Sequence, residues 1–232
     1  MSVNGPSKIV KDGLTLSLDA GNIKSYISGS TSWYDLSKNG NTGTLINGPT
    51  YNNANGGSIV FDGSNDYVSV AHQSLLNTPS GCTYEMWVFI TGAGEILSRG
   101  TSDSGANPDN PRVYIYSDGK IYSDWSTTGQ DKTFTTTNSC NFNAWNQLVF
   151  LYTPGGYMET YVNSIKFIGT STGGTLSNPL NNTADPIIIG GVNWIPRYFS
   201  GRIGIVRMYN RVLSSSEILQ NYNTTRRRFG LS

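Results

Sequence analysis

At 232 residues the chain can bury a sizeable core within one domain, and a formal net charge of +1 points by itself to neither a nucleic acid nor a membrane surface. Charged residues are 13 % and aromatics 12 %, with abundant Gly, Ser, Thr and Asn. That mix argues against a helical bundle and against disorder, and suits short strands with tight turns. No stretch approaches the roughly 18 apolar residues of a membrane span, and residues 1–13 lack a secretion signal's apolar run, so an unexported protein is expected.

In chain order, Gly13–Ala20 alternates Leu14, Leu16 and Leu18 with small or polar residues, the pattern of a strand buried on one face. Residues 21–57 are loop-rich, with Trp33-Tyr34-Asp35-Leu36 as an anchor and Thr44–Ile46 as a short strand. Ser58–Val70 sets two alternating runs, around Ile59 and Phe61 and around Tyr67 and Val70, on either side of Gly63-Ser64-Asn65-Asp66, so a β-hairpin is predicted. Strands follow at Cys82–Ile90, which carries Trp87, and at Glu95–Arg99. Arg112–Tyr116 and Lys120–Asp124 flank Asp118-Gly119, a two-residue type I′ signal. Lys132–Thr137 is an edge candidate and Trp145–Tyr152 a further strand. Gly156–Val162 and Ile165–Thr170 turn at Asn163-Ser164, and Ile187–Gly190 and Gly201–Tyr209 complete the strands. A helix near residues 214–223 is predicted from the capping box Ser214/Glu217 and the hydrophobic staple Leu213/Ile218. No internal repeat or second domain is visible.

The motif F-D-G-x-x-D-Y-V at residues 61–68, followed by the Trp-bearing strand, resembles the first hairpin of the laminin G-like and pentraxin-like branch of concanavalin A-like jelly rolls. The Trp145 strand, a Y-V-N-G-type turn with Ser164 in place of Gly, and the run GRIGIVRMYNRVLSSSEILQNYN extend the likeness to the C-terminal region. The resemblance implies an all-β, antiparallel two-sheet sandwich with one short C-terminal helix: an arm over residues 1–12, a jelly roll over 13–224 and a basic tail over 225–232. The opening LDAGN…SWYDLSKNGNTGTLINGPTY resembles jelly-roll proteins of tailed phages of aquatic bacteria, which implies a virion protein made in a host cytoplasm. Cys82 and Cys140 are too few for a disulfide framework. Pentraxin-like relatives often bridge comparable strands, whereas cytosolic synthesis would leave two buried thiols.

Laminarinase-type glycosidases share this fold and need paired carboxylates, commonly E-x-D-x-x-E. The four glutamates, Glu85, Glu95, Glu159 and Glu217, do not stand in that arrangement, and no catalytic residue is assigned. His72, the single histidine, lacks a nucleophile elbow to serve. Calcium is the metal to weigh, and Asp62, Asn65 and Asp66 could form a partial site, but the resemblance places a ligand aspartate where Gly204 stands. Asx-type turn bonds are the preferred reading of that loop, and no cofactor is expected. Sugar binding needs exposed rings beside polar groups. A two-residue turn at Asp118-Gly119 would put Tyr114, Tyr116, Ile121 and Trp125 on one face, and Trp194 is a second candidate; packing of the hairpin's rings in the core or at its rim is the preferred reading.

Charge is distributed unevenly. Residues 1–190 carry nine Lys/Arg against fourteen Asp/Glu, and residues 191–232 carry seven Arg against Glu217 alone. Arg226, Arg227 and Arg228, with Phe229 and Leu231, read as a tail that docks onto an acidic partner, with a solvated end as the alternative. The first functional expectation is a non-enzymatic structural or interaction protein of a phage virion, a capsid decoration or tail-associated subunit. Its partners would be other virion proteins, with homo-oligomerisation open and neither nucleic acid nor membrane bound. The alternative is a lectin-like module for host or environmental glycans, and a glycoside hydrolase stands a distant third.

Overall fold

The computed structural model describes residues 8–78, 80–100, 111–127, 130–153, 155, 157–173, 176, 180, 184–192 and 195–232. The first strands are β1 (Leu14–Asp19), β2 (Ser32–Trp33), β3 (Gly43–Ile46), β4 (Thr50–Asn52), β5 (Ser58–Asp62) and β6 (Tyr67–Val70). Next come β7 (Cys82–Ile90), β8 (Gly94–Arg99), β9 (Arg112–Ile115), β10 (Lys120–Thr127), β11 (Gln130–Ser139) and β12 (Trp145–Thr153). The chain continues through β13 (Tyr157–Val162), β14 (Ile165–Phe167), β15 (Gly169–Gly173), β16 (Ile187–Ile189), β17 (Ser200–Tyr209) and α1 (Ser215–Thr225). They pack as two antiparallel sheets, the expected all-β sandwich, with one α-helix among the described residues, near the C-terminus. The first sheet runs β14-β13-β12-β7-β17-β5-β4, with β1 also on β17; the second runs β15-β11-β10-β9-β8-β16-β6-β3-β2.

Inward-facing residues of both sheets make the core: Leu16, Leu18, Phe61, Met86, Val88 and Phe150 from one side, Val68, Val70, Leu97, Val113, Ile121 and Trp125 from the other. Their alternation along each strand is what made the strands readable.

Three expectations change. Residues 58–70 are not a hairpin: β5 pairs with β4 and β17, whereas β6 pairs with β3 and β16 in the other sheet. The segment is an arch between the layers, and both of its arms point into the same core, which gives the alternation of a hairpin. Likewise Ile165–Thr170 splits into β14 and β15, which lie on different sheets, so β15 rather than the Lys132 strand forms that edge. The third change concerns the C-terminus. Residues 226–229 form a 3-10 turn directly after α1, and the turn lies on the outer face of the first sheet. There Phe229 stacks on Trp87 with ring centroids 4.3 Å apart and meets Trp145 at 4.5 Å. Arg228 donates to Asp19 Oδ1 at 2.5 Å and to the carbonyl of Gly57 at 2.8 Å. The expected docking tail is thus part of this domain, because a ring beside three arginines found an apolar seat on its own sheet.

The same face holds a buried polar network. Glu85 Oε1 accepts from Arg207 Nη1 (2.8 Å) and Gln147 Nε2 (2.9 Å), and Glu85 Oε2 accepts from Asn221 Nδ2 (2.7 Å). Asn221 Oδ1 in turn accepts from the backbone N–H of Val10 at 2.8 Å, so α1, the sheet and the chain's start are fastened together.

Candidate functional site

The outer face of the second sheet carries an aromatic cleft. Its floor is set by the turn between β9 and β10. Gly119 alone adopts a left-handed φ, +82°, and Tyr116 N–H donates to Lys120 O at 2.9 Å, so the loop is three residues, Ser117-Asp118-Gly119, and not two. Cα partners are therefore Ile115 with Ile121 and Tyr114 with Tyr122. One residue of slip exchanges the faces of a strand. Trp125, expected on the aromatic face, turns into the core at 1 % exposure, stacked on Tyr152 at 5.6 Å. Ile121 goes inward with it. Tyr122, which the two-residue turn would have buried, comes out beside Tyr114 and Tyr116.

The result is a cleft of about 350 Å³ lined by Arg112, Tyr114, Tyr116, Tyr122 and Arg197. Tyr114 and Tyr116 meet edge to face at 5.2 Å, as do Tyr116 and Tyr122 at 6.2 Å. Tyr116 is 40 % exposed, which leaves ring surface for a ligand. Beneath them Arg112 Nε donates to the fully buried Glu95 at 3.1 Å. The N–H of Glu95 donates to Arg197 O at 3.2 Å, which ties the wall bearing the exposed Arg197 to the floor. Tyr122 donates its hydroxyl to Asp124 Oδ2 at 3.2 Å. Burial, reinforced by Glu95 and by Asp124 respectively, pushes the Tyr114 and Tyr122 phenols up, so both are neutral at pH 7 and can donate as well as accept. Sequence reasoning found Tyr114 and Tyr116 but missed Tyr122, Arg112 and Arg197. Trp194 lies outside the described residues.

The other candidates are held internally. Asp62 Oδ1 accepts from the N–H groups of Ser64 (2.8 Å) and Asn65 (3.4 Å), and Asp66 Oδ2 accepts from Asp62 N–H at 3.2 Å. Those bonds, Ser64 first, hold the Asp62 carboxyl below its usual range, while burial raises that of Asp66. Asn65 offers its carbonyl to Asn47 Nδ2 at 2.8 Å. One oxygen of each aspartate, Asp62 Oδ1 and Asp66 Oδ2, is thus engaged in fastening the arch. Among the described residues no three His, Cys, Asp or Glu side chains gather. A Cβ on Gly204 would lie 2.8 Å from Phe229 Cε1, so the ring occupies the space an aspartate would need there. Cys82 and Cys140 are free, buried thiols. Of the glutamates outside the cleft, Glu85 is in the buried network, Glu159 accepts from Lys166 (2.7 Å), and Glu217 accepts from Arg211 (2.6 Å).

Residues 62–219 match a laminin G family model described as the concanavalin A-like lectin/glucanases superfamily. The chain belongs to that superfamily. No curated protein matches it. Among solved structures, the binding domain of Paraclostridial Mosquitocidal Protein 1 superposes with a TM-score of 0.71 at 16 % identity, over 92 % of this chain and 52 % of that one. The binding domain of botulinum neurotoxin serotype D/C gives 0.69 at 12 % identity, over 93 % and 53 %. Trypanosoma rangeli sialidase, in complex with sialic acid, gives 0.66 at 15 % identity, over 93 % and 33 %. The chain spans about half the length of these toxin domains and a third of the sialidase. At such identities the likeness is one of fold, and it makes this superfamily member a lectin-like domain in architecture.

Proposed function

We propose that this lectin-like domain is a non-catalytic carbohydrate-binding module whose ligand seats in the tyrosine cleft. One observation carries the reading: three tyrosines and two arginines converge on a concave surface, while β9 and β10 bury their other face in the core. A sugar's apolar face can lie on the exposed Tyr116 ring, and phenols and guanidinium groups can hold its hydroxyls. Toxin binding domains share this fold, and the cell entry of botulinum neurotoxin type C, another protein of this fold, is dependent upon interaction with two ganglioside molecules, which supports a glycan as ligand class. The resemblance of residues 13–90 to phage proteins supports a place on a virion, where a host-surface glycan would be the target and neighbouring virion proteins the partners. A calcium ion or other cofactor has no part in this reading. The internal burial of Phe229 removes the support for attachment through the C-terminal residues.

A glycan array probed with the purified domain tests it, followed by calorimetry on any hit. Tyr116→Ala should weaken the hit about tenfold or more, the loss of a central binding residue, and leave the melting temperature within a degree or two, since this side chain is exposed. Absence of any array hit, or a hit indifferent to Tyr116→Ala and Tyr114→Ala alike, overturns the assignment.

A further inference from the structure

A second cavity, about 560 Å³, opens on the outer face of the first sheet, between β1, the loop at residues 36–38 and the end of α1. Its basic lining is Lys11, Lys38 and Arg207, and Ile9, Leu14 and Leu36 give it apolar walls. Arg207 is only 3 % exposed; its Nη1 is committed to Glu85, but its Nε is buried and has no hydrogen-bond partner. A buried donor left unmet is costly, so an acceptor is wanted in this cavity. Arg207 is balanced in charge by Glu85, whereas Lys11 and Lys38 make no ion pair among the described residues. The acid in the lining, Asp19, is engaged by Arg228. The cavity is therefore lined by two ammonium groups without an ion pair and by a guanidinium whose hydrogen-bonding capacity is only partly met, beside aliphatic walls.

We propose that this cavity binds a small organic carboxylate, whose oxygens take the Arg207 guanidinium and the two lysines and whose carbon body packs on Ile9, Leu14 and Leu36. Charge-assisted bonds to a carboxylate are the strong ones for such donors, and the volume lies within the usual range for small-molecule sites. The apolar walls favour an organic over an inorganic anion. The site is separate from the tyrosine cleft, being on the other sheet.

The test is a thermal-melt series on the full chain at constant ionic strength. It uses succinate and glutarate, the neutral isostere glutaramide, inorganic phosphate, and sodium chloride as the control. Saturable stabilisation by the dicarboxylates is expected, reaching roughly 5–10 °C at a hundred times the dissociation constant, with little from glutaramide or chloride. The double variant Lys11→Gln/Lys38→Gln, both positions exposed and so neutral for folding, should weaken that response about tenfold or more, whereas Tyr116→Ala should leave it intact. No saturable shift, an equal shift in the double variant, or a shift from glutaramide or phosphate as large as from the dicarboxylates would overturn the proposal.

Discussion

Gly204 shows how one residue can shift the role of a strand. It sits in β17 where the pairing partner changes from β5 to β1, and the register with β7 slips there. The ring of Phe229 rests on it. Gly204→Asp, which restores the residue the resemblance leads one to expect, should therefore destabilise the protein by about 1–3 kcal/mol from overpacking, with more from burying a carboxylate beside rings. A melt showing equal or higher stability, with or without calcium, would contradict this account. The cysteines give a second residue-level expectation. Burial pushes Cys82 up to about 12 and Cys140 up to about 11, so neither thiolate is populated at pH 8. Iodoacetamide should label no cysteine in the native protein and both after denaturation; native labelling of either would show that its surroundings open. The two buried thiols are one of the two readings the sequence allows, whereas the seat of Phe229 on Gly204 is not legible in it. The sequence displayed the missing aspartate but not the ring that replaces it, because Phe229 lies 25 positions away and among arginines.

Among the elements, α1 was the most legible, since capping chemistry is local. Ser214 accepts from Glu217 N–H, Glu217 Oε2 accepts from Ser214 N–H at 2.9 Å, and Leu213 and Ile218 are both buried, as the pattern required. Arg211 first, and then the Ser214 bonds, pull the Glu217 carboxyl down to about 2. A carboxyl depressed on folding contributes stability that is complete above its unfolded value, near 4.5, and is lost as pH falls towards 2. Glu217→Gln should thus be less stable than the parent by about 1 kcal/mol at pH 7, and the gap should close by pH 2. A gap independent of pH would mean that the cap acts without its charge. Turns were legible only in part. Asn163 and Ser164 both take positive φ, 52° and 64°, so Ser serves where Gly was expected. Asp-Gly at 118–119 fits both a two-residue and a three-residue loop, and the choice decides which of Trp125 and Tyr122 meets solvent. The arch at residues 58–70 was misread for a related reason, as periodicity reports which residues are buried but not against which sheet.

For the molecule as a whole, part of the uneven charge is met internally. Arg207 pairs with Glu85, Arg211 with Asp12 and Glu217, and Arg228 with Asp19, while Arg202 lies 4.0 Å over the Phe89 ring. Removal of residues 225–232 should accordingly cost about 3–5 kcal/mol through Phe229 alone, a fall of roughly 6–20 °C in melting temperature for a domain of this size. An unchanged melt would show that the C-terminal turn is ornamental. Sheet order has a consequence for synthesis. β17 lies between β7 and β5 and also carries β1, so the first sheet has a gap at its middle until residues 200–209 exist. A nascent chain on a ribosome can close the second sheet's neighbours β8 to β11 early, but β1 must wait for a partner nearly 190 residues downstream. Such long-range closure is slow, and the unpaired flanks of β5 and β7, with Trp87 uncovered, are the surfaces a chaperone would meet first.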